Sequence, residues 1–261
     1  MFPYVEQPSL SLGTYTLYFF QVAVCVAVIV GYEIVVRRAP RMGLDADQTA
    51  SIVAWVILWG FVGSHVFDTL AYYPERVLED PFVLFKIWGS MSSFGGMMGG
   101  MAAAVIVTRR RGWSGRQVLA LADVIGFAFP FAWIFGRLGC ALAHDHLGVA
   151  TDHWLGVRFP DGTRFDLGLL EFLYTLPVAG LFLLLDRRPR PTGFYLGLFL
   201  TLYGPVRFVL DTLRTGDARY LGWTPGQYIA ILATLAGLAL LVTAVRRAGG
   251  WTAEPREADD D

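Results

Sequence analysis

The sequence predicts an all-α, polytopic membrane protein with about seven transmembrane helices, its N-terminus outside and its C-terminus in the cytoplasm. Of its 261 residues, 55% are hydrophobic and only 16% are charged, whereas a soluble domain normally carries about 25% charged residues. Apolar stretches of roughly 20 residues, the length needed to cross a bilayer, recur along the chain. Basic clusters fall on alternate connections between these stretches, as the positive-inside rule requires.

Seven apolar stretches are predicted to span the membrane. They are residues 15–36, 49–72, 85–108, 119–142, 167–185, 193–213 and 227–245. The third is the least apolar, because it contains a glycine-rich run at residues 95–100. Basic residues follow the first, third, fifth and seventh stretches: Arg37, Arg38 and Arg41; Arg109, Arg110, Arg111 and Arg116; Arg187, Arg188 and Arg190; Arg246 and Arg247. Basic loops stay in the cytoplasm, so the basic connection after the first span places the N-terminus outside. With seven spans, the C-terminus is then in the cytoplasm.

The rest of the chain is assigned from its composition. Residues 1–248 are predicted to form one transmembrane domain, and the polar, acidic residues 249–261 a disordered cytoplasmic tail. The outer connection at residues 144–166 contains Asp161-Gly162 between apolar-rich arms, which predicts a β-hairpin within a small extracytoplasmic cap. The N-terminal residues lack the basic segment of a cleavable signal peptide, so the first stretch is predicted to be retained. A net charge of −1 indicates no nucleic acid partner.

Two arginines inside predicted spans are the main candidates for function. Arg137 is near the outer end of the fourth span, and Arg207 is inside the sixth. An arginine at the centre of a spanning helix costs roughly 2.5–3.5 kcal/mol on insertion scales, so each needs a partner or a function. The structural alternatives are an ion pair of Arg207 with Asp211, one turn along the helix, and snorkelling of Arg137 to the interface. Because the guanidinium fork suits phosphate, the two arginines predict a phospholipid headgroup site near the outer leaflet.

Further ionisable residues accompany the two arginines. Glu171, early in the fifth span, needs a partner, and an arginine is the natural one. Arg214 closes the sixth span, where it is either a further headgroup contact or part of a solvated turn. His65 and Asp68 lie three residues apart on the second span and can face the same way. That pair is typical of an interhelical hydrogen-bonding unit and less often of a catalyst.

His144, Asp145 and His146 follow the fourth span directly. Groups of this kind bind metal or act as acid and base. Adjacent positions rarely place three side chains on one metal, so the sequence predicts no metal here. A general base and a polar, hydrogen-bonded loop end are equally open interpretations.

The glycine-rich run at residues 95–100 also has two interpretations. Small residues let helices approach closely, which is the commoner role. The run would otherwise expose backbone amides to a phosphate. Irregular backbone at membrane depth requires a covering of protein or a cavity.

The segment Gly136-Arg137-Leu138-Gly139-Cys140, continued by Asp145 and Gly148, resembles the signature of the prolipoprotein diacylglyceryl transferase family. The arginine, the acidic residue and the closing glycine of that signature fall on Arg137, Asp145 and Gly148 without gaps. The order of three further motifs also resembles the family: Met91-Ser92-Ser93-Phe94-Gly95-Gly96, Leu170-Glu171, and the Arg–acid–Arg motif at Arg207, Asp211 and Arg214. The predicted seven-span topology is also that of the family.

The resemblance implies transfer of the diacylglyceryl group of phosphatidylglycerol to the lipobox cysteine of a preprolipoprotein in the bacterial inner membrane, without a cofactor. It implies catalytic roles for Arg137 and Arg207, with a general base among His144, Asp145 and His65. The implied substrate-binding residues are Arg137, Arg207, Arg214, Gly95, Gly96, Asp211, Glu171 and Gly148.

The sequence also departs from the family pattern. Phe94 stands where the family commonly has histidine, and Cys140, Ala143 and Leu170 replace two asparagines and a tyrosine; His65 replaces an arginine. These departures leave open an inactive or repurposed relative that binds phospholipid. A transporter is a further alternative, because intramembrane charge also permits transport. Transporters often show internal pseudo-symmetry, and the sequence contains no internal repeat.

Overall fold

The computed structural model describes residues 1–86, 91–215 and 219–252, so most of the predicted tail lies outside the described residues. The described chain is mostly helical, with helices α1 (Phe19–Arg38), α2 (Ala46–Tyr72), α3 (Pro74–Glu79), α4 (Ser93–Arg110), α5 (Gly115–Ala143), α6 (Leu167–Leu185), α7 (Phe194–Thr212) and α8 (Pro225–Arg247). Six of the described helices, namely α1, α2, α5, α6, α7 and α8, are long and apolar enough to cross a membrane. A helical, polytopic membrane protein is therefore confirmed.

The predicted span boundaries agree best where a local signal marks the helix end. The fifth span matches α6 at both ends; at the N-terminal end Asp166 caps the helix by accepting a hydrogen bond from the Leu169 amide at 3.0 Å. The predicted start of the first span, at residue 15, is too early, because α1 begins at Phe19. Residues Tyr15–Tyr18 form strand β3, which pairs with β2 (Ser9–Leu12). Aromatic and β-branched residues suit a strand as well as a helix, and an apolar run does not distinguish the two.

The third predicted span corresponds to α4, which begins at Ser93 rather than at residue 85. The preceding residues Pro81–Phe85 form a 3₁₀ helix. Four glycines and two terminal arginines reduce the apolar character of α4, and this helix is not among the six candidate spans. A seventh span thus stays a prediction.

The chain divides into two compact units, Val35–Leu121 and the remainder, Met1–Ile34 with Ala122–Asp261. In the unit Val35–Leu121, glycines of α2 and α4 bring the two helix backbones together. A Cβ on Gly63 would lie 2.7 Å from the Gly95 carbonyl oxygen and 2.9 Å from the Gly99 Cα. Only glycine permits this approach, so close helix packing by the glycine-rich run is confirmed.

The larger unit contains an apolar core built by α5, α6, α7 and α8. Its buried members are Phe127, Val178, Phe182, Phe194, Tyr195, Phe199 and Leu241. Glycines again allow close helix contact: a Cβ on Gly197 of α7 would lie 2.7 Å from the Leu241 nitrogen of α8. The buried Asp123 of α5 accepts a hydrogen bond from the Leu196 amide at 2.9 Å. Because that amide belongs to the first turn of α7, Asp123 supplies the cap that the preceding Gly193 lacks.

A small sheet in the same unit precedes α6. Its strands are β1 (Phe2–Pro3), β4 (Leu147–Ala150), β5 (Val157–Phe159) and β6 (Gly162–Asp166), in the order β1-β5-β6-β4. Phe159 pairs with Gly162 across the turn, which confirms the predicted hairpin. Strand β1 was not predicted; it runs parallel to β5 and attaches the N-terminus to the sheet.

Candidate active site

One carboxylate joins the two arginines that the sequence singled out. Glu171 Oε2 lies 2.6 Å from Nε of Arg137 on α5, and its Oε1 accepts a hydrogen bond from Nη1 of Arg207 on α7 at 2.7 Å. The Glu171 side chain is only 1% exposed and that of Arg137 9% exposed. The prediction that Glu171 pairs with an arginine is therefore confirmed, and two arginines pair with it. Snorkelling of Arg137 was the wrong alternative, because a buried carboxylate stabilises its charge where it lies.

The ion pairs continue along α7 to the start of α8. Arg207 Nη2 lies 2.8 Å from Asp211 Oδ1, one helical turn away, so the predicted Arg207–Asp211 pair is confirmed as well. Thr224, the N-cap of α8, donates from its hydroxyl to Asp211 Oδ2 at 3.2 Å. Tyr203 donates to Glu171 Oε2 at 3.0 Å. Two guanidinium and two carboxylate groups are thus held by side chains from four helices.

The Arg137 guanidinium has two further neighbours on its own helix. It lies over the Trp133 ring at 4.4 Å from the ring centroid, a cation–π contact. Its Nη1 donates to Cys140 Sγ at 3.7 Å. Since residues four and three apart share one helix face, Trp133, Arg137 and Cys140 form one continuous side of α5.

The loop after α5 is attached to two other elements. The amide of Leu167, the first residue of α6, donates to the His146 carbonyl at 2.9 Å. Gly148 forms an isolated antiparallel bridge with Arg214, just after α7. A Cβ on Gly148 would lie 3.1 Å from both the Leu213 carbonyl oxygen and the Phe165 Cβ. Gly148 therefore has a packing role that positions the Arg214 backbone, and contact of either residue with substrate stays a prediction.

His144 is engaged on both sides of its ring. Its Nδ1 lies 2.6 Å from Asp166 Oδ2 and its Nε2 lies 3.0 Å from the Val5 carbonyl oxygen. Burial raises the pKa of Asp166, although the hydrogen bond from His144 acts in the opposite direction. Tyr4 stacks on the same ring with 4.9 Å between centroids. Because both nitrogens face acceptors, His144 is a hydrogen-bonded loop end that holds the N-terminal segment, and the alternative of a general base is disfavoured.

The remaining predicted site residues lie in the unit Val35–Leu121. His65 is buried, with Nε2 3.1 Å from the Val83 carbonyl oxygen. The Gly95 amide points at the Ser92 hydroxyl at 3.5 Å, and the Gly96 amide donates to the Ser92 carbonyl at 3.0 Å. Both acceptors belong to Ser92, the N-cap of α4, so phosphate binding by Gly95 and Gly96 stays a prediction. The side chain of Phe94 lies outside the described part of the chain.

Three side chains with potential metal-ligand atoms lie close together at the C-terminal end of α5: one such atom from each of Cys140, Asp145 and His146 is within 4.8 Å of the others. The Arg137 guanidinium contacts the same Cys140 sulfur, and the positive charges of Arg137 and Arg214 act on the His146 ring. Cations at these positions repel a metal ion and attract an anion. The two arginines therefore make this group a poor cation site, and we assign no metal to it.

Four residues around the two arginines were not predicted from the sequence: Trp133, His146, Tyr203 and Thr224. Tyr203 and Trp133 each precede a site arginine by four residues, a spacing that signals a shared helix face. The segment from Thr224 to Gln227 forms a capping box and carries the Ser/Thr-x-x-Glu/Gln pattern that predicts one. His146 was passed over as a base in favour of its neighbour His144, because no sequence signal distinguishes their surroundings.

Comparisons with known proteins identify the family of this chain. The sequence profile described as prolipoprotein diacylglyceryl transferase matches residues 8–243. A bacterial relative from Geobacter sulfurreducens, named phosphatidylglycerol–prolipoprotein diacylglyceryl transferase, is 34% identical over 265 residues, covering 95% of this chain and 99% of its own. Relatives of the same name from Pseudoalteromonas atlantica and Pseudomonas paraeruginosa are 32% and 29% identical, each over 94% of this chain and over 91% and 96% of their own. The chain therefore belongs to the prolipoprotein diacylglyceryl transferase family, a family of membrane-bound transferases.

Proposed function

We propose that this protein transfers the diacylglyceryl group of phosphatidylglycerol to the lipobox cysteine of preprolipoproteins, with formation of a thioether and release of glycerol phosphate. The observation that carries the proposal is the bridging of Arg137 and Arg207 by the buried Glu171. Relatives that cover nearly the whole chain carry this activity in their names. Phosphatidylglycerol and a signal peptide are accordingly the two substrates.

The bridged arginines suit a phosphodiester that must leave. Each guanidinium carries five N–H donors, so the contacts of Arg137 and Arg207 with Glu171, Asp211 and Cys140 leave further donors on both. Two guanidinium groups held in place offer bidentate contacts to phosphate oxygens. Because Glu171 holds them before substrate arrives, little reorganisation is needed as negative charge develops on the leaving phosphate. Arg214, held next to Gly148, is proposed as a third cation.

The reaction exchanges one bond for another. The thiolate sulfur of the lipobox cysteine attacks the carbon of the diacylglyceryl group that bears the phosphate. A C–S bond forms, and the bond between that carbon and the phosphate oxygen breaks. The thiol proton passes to a base and then to glycerol phosphate. A base is needed because a free thiol, with a pKa of about 8.5, is only a few per cent ionised at neutral pH.

The proposal is tested by incubating the purified protein in detergent with labelled phosphatidylglycerol and a lipobox peptide. We expect a labelled thioether product from the wild type and none from the same peptide with serine in place of the lipobox cysteine. The alternative of a relative that binds phospholipid without transferring it is motivated by Phe94, which stands where the family commonly has histidine. Phospholipid binding without any transfer would overturn the proposed enzyme and favour the lipid-binding relative.

The proposed arrangement in the bacterial inner membrane has seven spans, with α4 as the third. Residues 1–248 then form the catalytic domain, residues 144–166 an extracytoplasmic cap, and the residues that follow α8 lie in the cytoplasm. Basic residues at the C-terminal ends of α1, α4 and α8 support this orientation. In intact cells, we expect an impermeant maleimide to label His153→Cys and not Trp251→Cys, both in a Cys25→Ser background. Labelling of both or of neither at equal expression would contradict the topology.

A further inference from the structure

The proton acceptor of the proposed reaction can be assigned from the geometry of the loop after α5. We propose that His146 takes the proton of the substrate thiol through its Nε2 atom. The inference rests on the proposed function, because it names the base of that reaction. It adds a catalytic residue that the family signature in this chain does not include.

Hydrogen bonding determines which nitrogen of His146 is the base. Its Nδ1 lies 3.0 Å from the backbone carbonyl oxygen of Asp145. A carbonyl oxygen only accepts hydrogen bonds, so Nδ1 carries the proton and Nε2 carries a lone pair. Within the described residues, Nε2 has no hydrogen-bond partner. The ring is 27% exposed, which leaves it accessible to a substrate.

The position of the ring joins it to the arginine site. An atom of His146 lies within 4.8 Å of the Cys140 sulfur, which in turn contacts Arg137 at 3.7 Å. The His146 backbone is attached to the start of α6 through the Leu167 amide, four residues before Glu171. His146 is thus held between the end of α5, which carries Arg137, and the start of α6, which carries Glu171.

Burial and two neighbouring arginines favour the neutral form of the His146 ring. The groups that face it are Arg137 and Cys140 from α5, Asp145 from the same loop and Arg214 after α7. Burial lowers the pKa of His146 from its ordinary value of 6.5; Arg137 and Arg214 act in the same direction, against the Asp145 carboxylate. The neutral form therefore predominates at pH 7, which a base requires.

The other candidates are less suited to this role. His144 directs both ring nitrogens at acceptors, and Nε2 of His65 is engaged by the Val83 carbonyl. Asp145 is a carboxylate, whereas imidazole is the side chain whose proton affinity best matches neutral pH. In the proposed step, Nε2 removes the thiol proton, the sulfur displaces the phosphate from carbon, and the imidazolium returns the proton to glycerol phosphate.

The test compares wild type, His146→Ala and the control His153→Ala, an exposed histidine of the same sheet region. We expect His146→Ala to lower kcat/KM by about 10²–10⁴-fold, with the KM for phosphatidylglycerol little changed. The wild-type rate should reach its plateau below pH 7, whereas the variant rate should keep rising toward about pH 8.5, where the thiol ionises by itself. Added imidazole should restore part of the variant activity, and His153→Ala should retain wild-type kcat/KM.

The possible failures are distinguishable. Transfer by the wild type that His146→Ala retains would overturn the base assignment alone. A large loss in His146→Ala without imidazole rescue and with an unchanged pH profile would also overturn it, because it indicates a structural role. No transfer by the wild type would overturn the proposed function and the base with it. Nitrogen NMR of ¹⁵N-histidine-labelled protein should place the proton on Nδ1 of His146 at pH 7, and an Nε2 proton would contradict the tautomer whatever the activity.

Discussion

Replacement of Arg137 with lysine is expected to lower kcat for diacylglyceryl transfer by about 10²–10³-fold, the usual effect of removing one preorganised donor from a charge-stabilising site. Lysine keeps the positive charge, but its ammonium group is a single point of contact. It cannot pair with Glu171 as Arg137 Nε does at 2.6 Å and still offer a fork to phosphate. The cation–π contact with Trp133 weakens as well. The loss therefore measures guanidinium geometry rather than charge.

This prediction is checked by single-turnover transfer to a lipobox peptide at saturating phosphatidylglycerol. Arg158→Lys is the matched control, because Arg158 is exposed on β5 and should tolerate the same exchange with wild-type kcat. Thermal unfolding of both variants in detergent separates a catalytic loss from a folding defect. A folded Arg137→Lys variant with wild-type kcat would contradict the proposed phosphate contact.

Replacement of Glu171 with alanine is expected to reduce the free energy of unfolding by about 3–5 kcal/mol, the typical cost of breaking a buried ion pair by removing one partner. Glu171 compensates two guanidinium groups at once, and both would be left in a largely buried environment. Glutamine should cost less, because its side-chain oxygen still accepts a hydrogen bond from Tyr203 or from one arginine. The order of stability should therefore be wild type, Glu171→Gln, Glu171→Ala.

The measurement is equilibrium unfolding by denaturant in mixed micelles. Glu75→Ala serves as the control, because Glu75 is exposed on α3 and its removal should change stability by less than about 0.5 kcal/mol. Equal stability of Glu171→Ala and wild type would show that the two arginines find other partners. That result would remove the argument that Glu171 holds them in position for phosphate.

Several features of the fold could be predicted because their causes are local in sequence. Span length and hydrophobicity gave six helices, and the apolar run at residues 167–185 gave both ends of α6. The Asp161-Gly162 turn gave the hairpin. The need of a buried carboxylate for a cation gave the pairing of Glu171 with arginine. Each of these follows from residues adjacent in the chain or from the cost of burying charge.

Other features depend on atoms brought together from distant parts of the chain, so no pattern could predict them. β1 pairs with β5 across more than half the chain, and one carboxylate serves arginines of two helices. His144 and His146 are chemically identical and two residues apart, yet both nitrogens of His144 face acceptors and only Nδ1 of His146 does. The sequence determined which chemical groups the site contains. Only the tertiary structure decided which of their atoms face one another, because hydrogen bonding and burial depend on direction and distance rather than on residue type.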